Sequence, residues 1–162
     1  MISRAARIGT FLAPFALVLV LDQLTKWAAR SFLASGSVTV VPGVLDLHLV
    51  YNEGAAFSLG RGWTWLFVVF AAVLCIACLW LVVRKDVSRL SCLLLGIGCA
   101  GGVGNLIDRV TAGHVTDFLM TTFVSFPVFN VADIAITCAF VALFIYYWFF
   151  EQRDSKEVDP HV

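Results

Sequence analysis

Four long apolar stretches constrain this chain more than any other feature of its sequence. A bilayer-spanning α-helix takes about 20 mostly apolar residues, and the runs at 8–29, 63–83, 90–107 and 131–150 meet or approach that length. In hydrocarbon the backbone must satisfy its own polar groups, which runs of this kind do by forming helices. The chain is 60% hydrophobic and 14% charged, whereas soluble domains are roughly half apolar and a quarter charged. The sequence therefore predicts an all-α membrane protein with four transmembrane helices, a single integral membrane domain over residues 1–162.

The basic residues set the expected orientation. Arg4 and Arg7 precede the first run, Arg84, Lys85 and Arg89 fill the short connection between the second and third, and Arg153 and Lys156 follow the fourth. Short cytoplasmic loops collect Lys and Arg, so both termini and the 84–89 loop are expected inside, with segments 30–62 and 108–130 outside. A cleaved leader is the other reading of the start, with Arg4 and Arg7 as its basic region and 11–21 as its apolar stretch. Apolar character resumes after Asp22, however, and removing the segment would leave the other spans with the wrong parity for the basic loops. Trp63, Trp65, Trp80, Tyr146, Tyr147 and Trp148 sit near span ends, as an interfacial aromatic belt does. The polar tail, 151–162, is expected to be loosely ordered.

Other chemistries find little support. Eleven basic and eleven acidic residues cancel, so charge does not favour nucleic acid. Cys75, Cys78, Cys92, Cys99 and Cys138 all fall within the spans, not in outer segments where an oxidising compartment would pair them. The Cys75-x-x-Cys78 pair reads as small apolar packing. There is no zinc-site spacing, phosphate loop or dinucleotide fingerprint, and no metal or cofactor is expected.

The outer segments carry polar signals. Residues 37–41 are largely β-branched, Pro42-Gly43 marks a turn, and 45–51 alternates apolar with mostly polar residues. This predicts a small antiparallel sheet between the first two helices, with Leu45, Leu47, Leu49 and Tyr51 on its apolar face and His48 on the wet one. Gly54, Ala55 and Ala56 follow, small enough to let a backbone or lipid chain approach.

In the glycine-rich third helix, Gly98 and Gly102 form a G-x-x-x-G step that suggests close helix packing. Its end places Asn105, Asp108 and Arg109 on one face, where Asp108 and Arg109 read as a helix-end charge pair. Asp22 and Lys26, at i and i+4 in the first helix, read as a structural polar pair.

Asp117 and Asp133 flank the last outer loop. Each has a plain reading: Asp117 as a solvated loop carboxylate, Asp133 as the N3 residue of a capping box headed by Asn130. Together they suggest more. Two carboxylates about 3 Å apart cannot both ionise, so they share a proton and titrate as a unit. The ionised one takes a proton from an attacking water, while the protonated one stabilises the developing oxyanion. A helix start favours a carboxylate's charged form, which would make Asp133 the ionised partner.

Five segments in order, Leu21-Asp-Gln-Leu-Thr-Lys26, Tyr51-Asn-Glu-Gly-Ala-Ala-Phe57, Gly104-Asn-Leu-Ile-Asp-Arg109, Gly113-His-Val-Thr-Asp-Phe118 and Phe129-Asn-Val-Ala-Asp133, resemble bacterial lipoprotein signal peptidase, signal peptidase II. The resemblance implies an aspartic endopeptidase of the bacterial inner membrane with its site at the outer face. Its substrates would be prolipoproteins carrying diacylglycerol on the lipobox cysteine, cut just before that cysteine. It also implies Asp117 and Asp133 as the catalytic dyad, with Asn52, Gly54, Asn105, Arg109 and Asn130 as substrate-binding residues. Asp22 and Lys26 would be the family's first-helix pair, and the cyclic peptide globomycin an inhibitor that occupies the site. The rival reading is a small proton-coupled transporter with intramembrane acids as relays. It predicts an acid near a span's midplane and one polar helix face, whereas the second and fourth runs are apolar through their centres.

Overall fold

The computed structural model describes residues 2–54 and 64–151. Helix α1 runs Arg4–Phe32, strands β1 and β2 run Val38–Val41 and Leu45–Asn52, and α2 runs Thr64–Arg84. Then come α3 (Arg89–Ala112), β3 (Val115–Thr121), α4 (Val131–Tyr146) and a closing π-helical turn, Tyr147–Glu151. All four long helices have the length and apolar composition to cross a membrane. Ala55, Ala56, Trp63, Arg153, Lys156 and the 152–162 tail lie outside the described residues.

The helices overrun the expected spans where polar side chains find partners. Helix α1 starts at Arg4 because Ser3 caps it, accepting from the Ala6 N–H at 3.2 Å. Helix α3 continues past Ile107 to Ala112, so Asp108 and Arg109 belong to the helix rather than to a loop. Gly113, in the left-handed region at φ 79°, ends it and returns the chain into β3, a conformation that glycine adopts without a Cβ penalty.

Helix α3 is the central element, packed against α1, α2 and α4. Its closest contacts are not at the G-x-x-x-G step. A Cβ on Gly96 would collide with the Phe11 carbonyl of α1, and one on Gly101 with the Ala132 carbonyl of α4. On Gly102 it would meet only Cys75 Sγ, at an ordinary 3.6 Å. Cys75 and Cys78 pack beside the core of Phe11, Val82, Val87, Cys92 and Cys99. Away from α3, large apolar side chains such as Trp65, Phe70, Ile76 and Phe140 face outward, as lipid contact requires.

The sheet has three antiparallel strands in the order β1-β2-β3. Its third strand comes from between α3 and α4, so the sheet is not confined to the segment between α1 and α2. Leu47 and Leu49 pack on Ala29, Leu33 and Phe118, joining sheet to helix end. Tyr51 instead is exposed and lies against the His114 ring at 4.4 Å. The register shifts between Leu47 and Val50, and such an irregularity changes which face the following side chains meet. His48 is exposed as expected, its Nδ1 2.6 Å from Ser37 Oγ.

Candidate active site

Two chain turns bring the aspartates together. Strand β3 sets Asp117 opposite Val50 of β2, and the chain then loops back so that Leu119 and Phe129 exchange backbone hydrogen bonds at 2.8 and 3.1 Å. Asn130 follows at once as the N-cap of α4. Its Oδ1 accepts the Asp133 N–H at 3.0 Å, and the Asp133 carboxylate accepts the Asn130 N–H at 3.1 Å. The expected capping box is therefore real, and it does not exclude the dyad.

Every carboxylate oxygen of the pair has a donor. Asp117 Oδ1 accepts from Asn130 Nδ2 at 2.6 Å and its Oδ2 from Asn52 Nδ2 at 3.0 Å. Asp133 Oδ2 takes the capping bond, and its Oδ1 accepts from Asn105 Nδ2 at 2.8 Å. Asp117 is buried, 2% exposed, so it is not a solvated loop carboxylate. Burial pushes its carboxyl up to about 6, with the Asp133 charge adding to the rise. Bonds from Asn52 and Asn130 and the charge of Lys26 act in the opposite direction.

Both aspartates line a cavity of about 250 Å³. Asn52, Asn105 and Arg109 line it with them, and Phe126, Pro127, Val128, Phe129 and Ile136 make an apolar wall. Gly54 and Asn130 are not among its lining residues; they hold residues that are. The Gly54 N–H donates to Asn52 Oδ1 at 2.9 Å, and its carbonyl accepts from Arg109 Nη2 at 3.1 Å. Arg109 also lies over the Phe67 ring of α2 at 5.3 Å.

Asp108 corrects the sequence reading. It is buried, and it pairs with Lys26 at 3.4 Å and Arg30 at 3.8 Å while accepting the Thr116 N–H at 2.9 Å. Its face of α3 turns toward α1 and β3, which no local spacing reveals. Asp22 and Lys26 do pair, at 2.9 Å and fully buried. The apolar wall at 126–129 and the roles of Thr116 and Arg30 were not visible in the sequence; the β-branched run before Asp117 was the one available hint of a third strand.

Comparison with known proteins gives a consistent result. A family model described as signal peptidase (SPase) II matches residues 14–150. The chain is similar to the lipoprotein signal peptidase of Symbiobacterium thermophilum, 39% identical over 84% of this chain and 92% of that one. It is also similar to that of Syntrophomonas wolfei, at 40% identity over 83% and 90%. Its fold matches a bacterial membrane enzyme solved by the in meso method at 2.3 Å resolution, with a TM-score of 0.81 and 29% identity over 96% of this chain and 94% of the other.

Proposed function

The chain belongs to the signal peptidase II family, and from that membership we propose that Asp117 and Asp133 are the aspartyl dyad of a peptidase that removes signal peptides from prolipoproteins. The observation that carries the dyad is its setting: two carboxylates from β3 and α4 open on one cavity and both accept hydrogen bonds from Asn130, one from its side chain and one from its backbone N–H. The protein is a multi-pass bacterial membrane protein. Proton-coupled transport finds no support in the comparisons.

In this reading Asp117 is the protonated member, since burial favours its neutral form, and Asp133 acts as the base. Asp133 takes a proton from water as the water oxygen attacks the scissile carbonyl carbon. Asp117 gives its proton to the carbonyl oxygen as that oxygen gains charge. When the C–N bond breaks, the proton held by Asp133 goes to the leaving nitrogen, and the collapsing intermediate returns a proton to Asp117. Water is consumed, and a carboxylic acid and an amine are formed. Asn52 and Asn105 fix the carboxylates, and Arg109 lines the cavity beside them as a donor for a substrate carbonyl.

The substrate is a diacylglyceryl-modified prolipoprotein cut just before the lipidated cysteine, and globomycin occupies the same cavity. Both termini are cytoplasmic and the cavity faces outward. Incubating purified protein with lipidated prolipoprotein and following the shift to mature size tests this, with Asp117→Asn and Asp133→Asn in parallel. Cleavage by wild type and by neither folded variant is expected. Absence of cleavage by folded wild type on confirmed lipidated substrate would overturn the assignment.

A further inference from the structure

We infer that Lys26 is a positioning residue for both aspartates, acting through the side-chain amide of Asn105; this rests on the dyad proposed above. Lys26 is fully buried. Its Nζ reaches Asp22 Oδ2 at 2.9 Å, Asp108 Oδ2 at 3.4 Å and Asn105 Oδ1 at 2.8 Å, three acceptors for an ammonium with three N–H bonds and no acceptor of its own. The two carboxylates are enough to compensate the buried charge. The third contact does something else.

A primary amide has one accepting side and one donating side. Asn105 Oδ1 faces Lys26 and also accepts from Asn130 Nδ2 at 3.2 Å, so its Nδ2 is left to donate to Asp133 at 2.8 Å. Turned over, the amide would set N–H against ammonium and carbonyl against carboxylate, replacing attractions with repulsions. Lys26 therefore locks the orientation that serves Asp133. The same Oδ1 helps hold Asn130 Nδ2, which also donates to Asp117 at 2.6 Å and reaches the Thr116 carbonyl at 3.4 Å. One cation thus orients a donor to each carboxylate without a hydrogen bond to either.

A second route runs through its ion-pair partner. Asp22 Oδ1 accepts the Ala132 N–H at 3.0 Å, which fixes the first turn of α4 beside Asp133. Gly104 leaves the space that the Asp22 carboxylate occupies, since a Cβ there would collide with it.

The test uses Asp22→Asn/Lys26→Met, which removes both charges of the pair together and leaves Asp108 with Arg30. Positioning predicts a folded protein whose kcat falls about 10- to 100-fold through misplacement of the dyad, with KM little changed. Removing the Lys26 charge also moves the pH profile. The charged groups around Asp117 are Lys26 of α1, Asp133 of α4 and Arg109 of α3, with Asp108 and Arg30 one step away on Thr116. Loss of the Lys26 cation disfavours ionised Asp117, so the alkaline limb of kcat/KM moves to higher pH.

Loss of the Lys26 charge moves the pH limb whatever the role of the residue, so kcat decides: a merely structural pair leaves it at the wild-type value once the variant folds, and a folded variant with wild-type kcat overturns the proposal. If it does not fold, Asp22→Asn/Lys26→Gln is read the same way; failure of both to fold assigns Lys26 to the fold alone and overturns the proposal too. Wild type, assayed alongside, separates the two levels. If it does not cleave, the proposed function fails, whereas a variant that matches cleaving wild type removes only the role of Lys26.

Discussion

Asn130 donates its side-chain N–H to Asp117 Oδ1 at 2.6 Å while the same side chain caps α4 above Asp133. One residue thus sets the relation between the aspartates and starts the helix that carries one of them. Asn130→Ala should lose both roles. Loss of the cap should cost about 1 kcal/mol of stability, readable as a lower Tm in detergent, and misplacement of the dyad should lower kcat about 100-fold. Asn130→Asp separates the effects, because aspartate still caps a helix but sets a carboxylate against Asp117. Near-wild-type Tm with a comparable loss of kcat is expected; retained kcat in Asn130→Asp would mean that Asn130 serves the helix alone.

The position of Asp117 predicts the shape of the pH profile. Its carboxyl is raised from 3.8 to about 6, chiefly by burial. If its proton is the one given to the carbonyl oxygen, kcat/KM of the free enzyme should decline as pH rises through about 6. Stability follows the same sign. The native state holds more protons than the unfolded chain between pH 3.8 and about 6, so the stability Asp117 contributes is present below that window and lost across it. Asp117→Asn should flatten this part of the Tm profile. An unchanged profile in that variant would assign the titration to another group.

The sequence made different parts of this molecule legible to different degrees. The spans could be read because lipid demands long apolar runs, and β1 and β2 because alternation and Pro42-Gly43 are local signals. Strand β3 was missed because its partner, β2, lies before two intervening helices. Asp108 was misread for the same reason: its spacing from Arg109 is visible in the chain, while Lys26 and Arg30 reach it only across the fold. The case for Asp117 and Asp133 as a pair rests mainly on resemblance. Their chemistry alone allows a loop carboxylate and a helix cap, and the structure forms the cap beside the proposed dyad.

Orientation can be tested by labelling. His48 and Asp86 are exposed at opposite ends of the helices, beside β1 and in the α2–α3 connection. The native cysteines all lie within the four helices. With the basic 84–89 loop inside, His48→Cys should react with a membrane-impermeant maleimide on intact cells, and Asp86→Cys only after permeabilisation. The reverse pattern would invert the topology and put the cavity on the cytoplasmic side.

The glycines of α3 make the sharpest packing prediction, because neighbours in sequence should respond oppositely. A Cβ on Gly101 would drive into the Ala132 carbonyl at the start of α4, whereas one on Gly102 meets only Cys75 Sγ at 3.6 Å. Gly101→Ala should therefore force α3 and α4 apart, at roughly 1–3 kcal/mol for overpacking. Gly102→Ala should be neutral or stabilising by up to about 1 kcal/mol, since alanine loses less backbone freedom in a helix. Gly104→Ala should act on chemistry as well, because its Cβ would displace the Asp22 carboxylate that holds the Ala132 N–H beside Asp133. Thermal unfolding in detergent and cleavage of lipidated substrate measure the three variants together. An equal loss of Tm for Gly101→Ala and Gly102→Ala would restore the G-x-x-x-G step as the packing seam; full activity in a folded Gly104→Ala would break the link from Asp22 to the dyad.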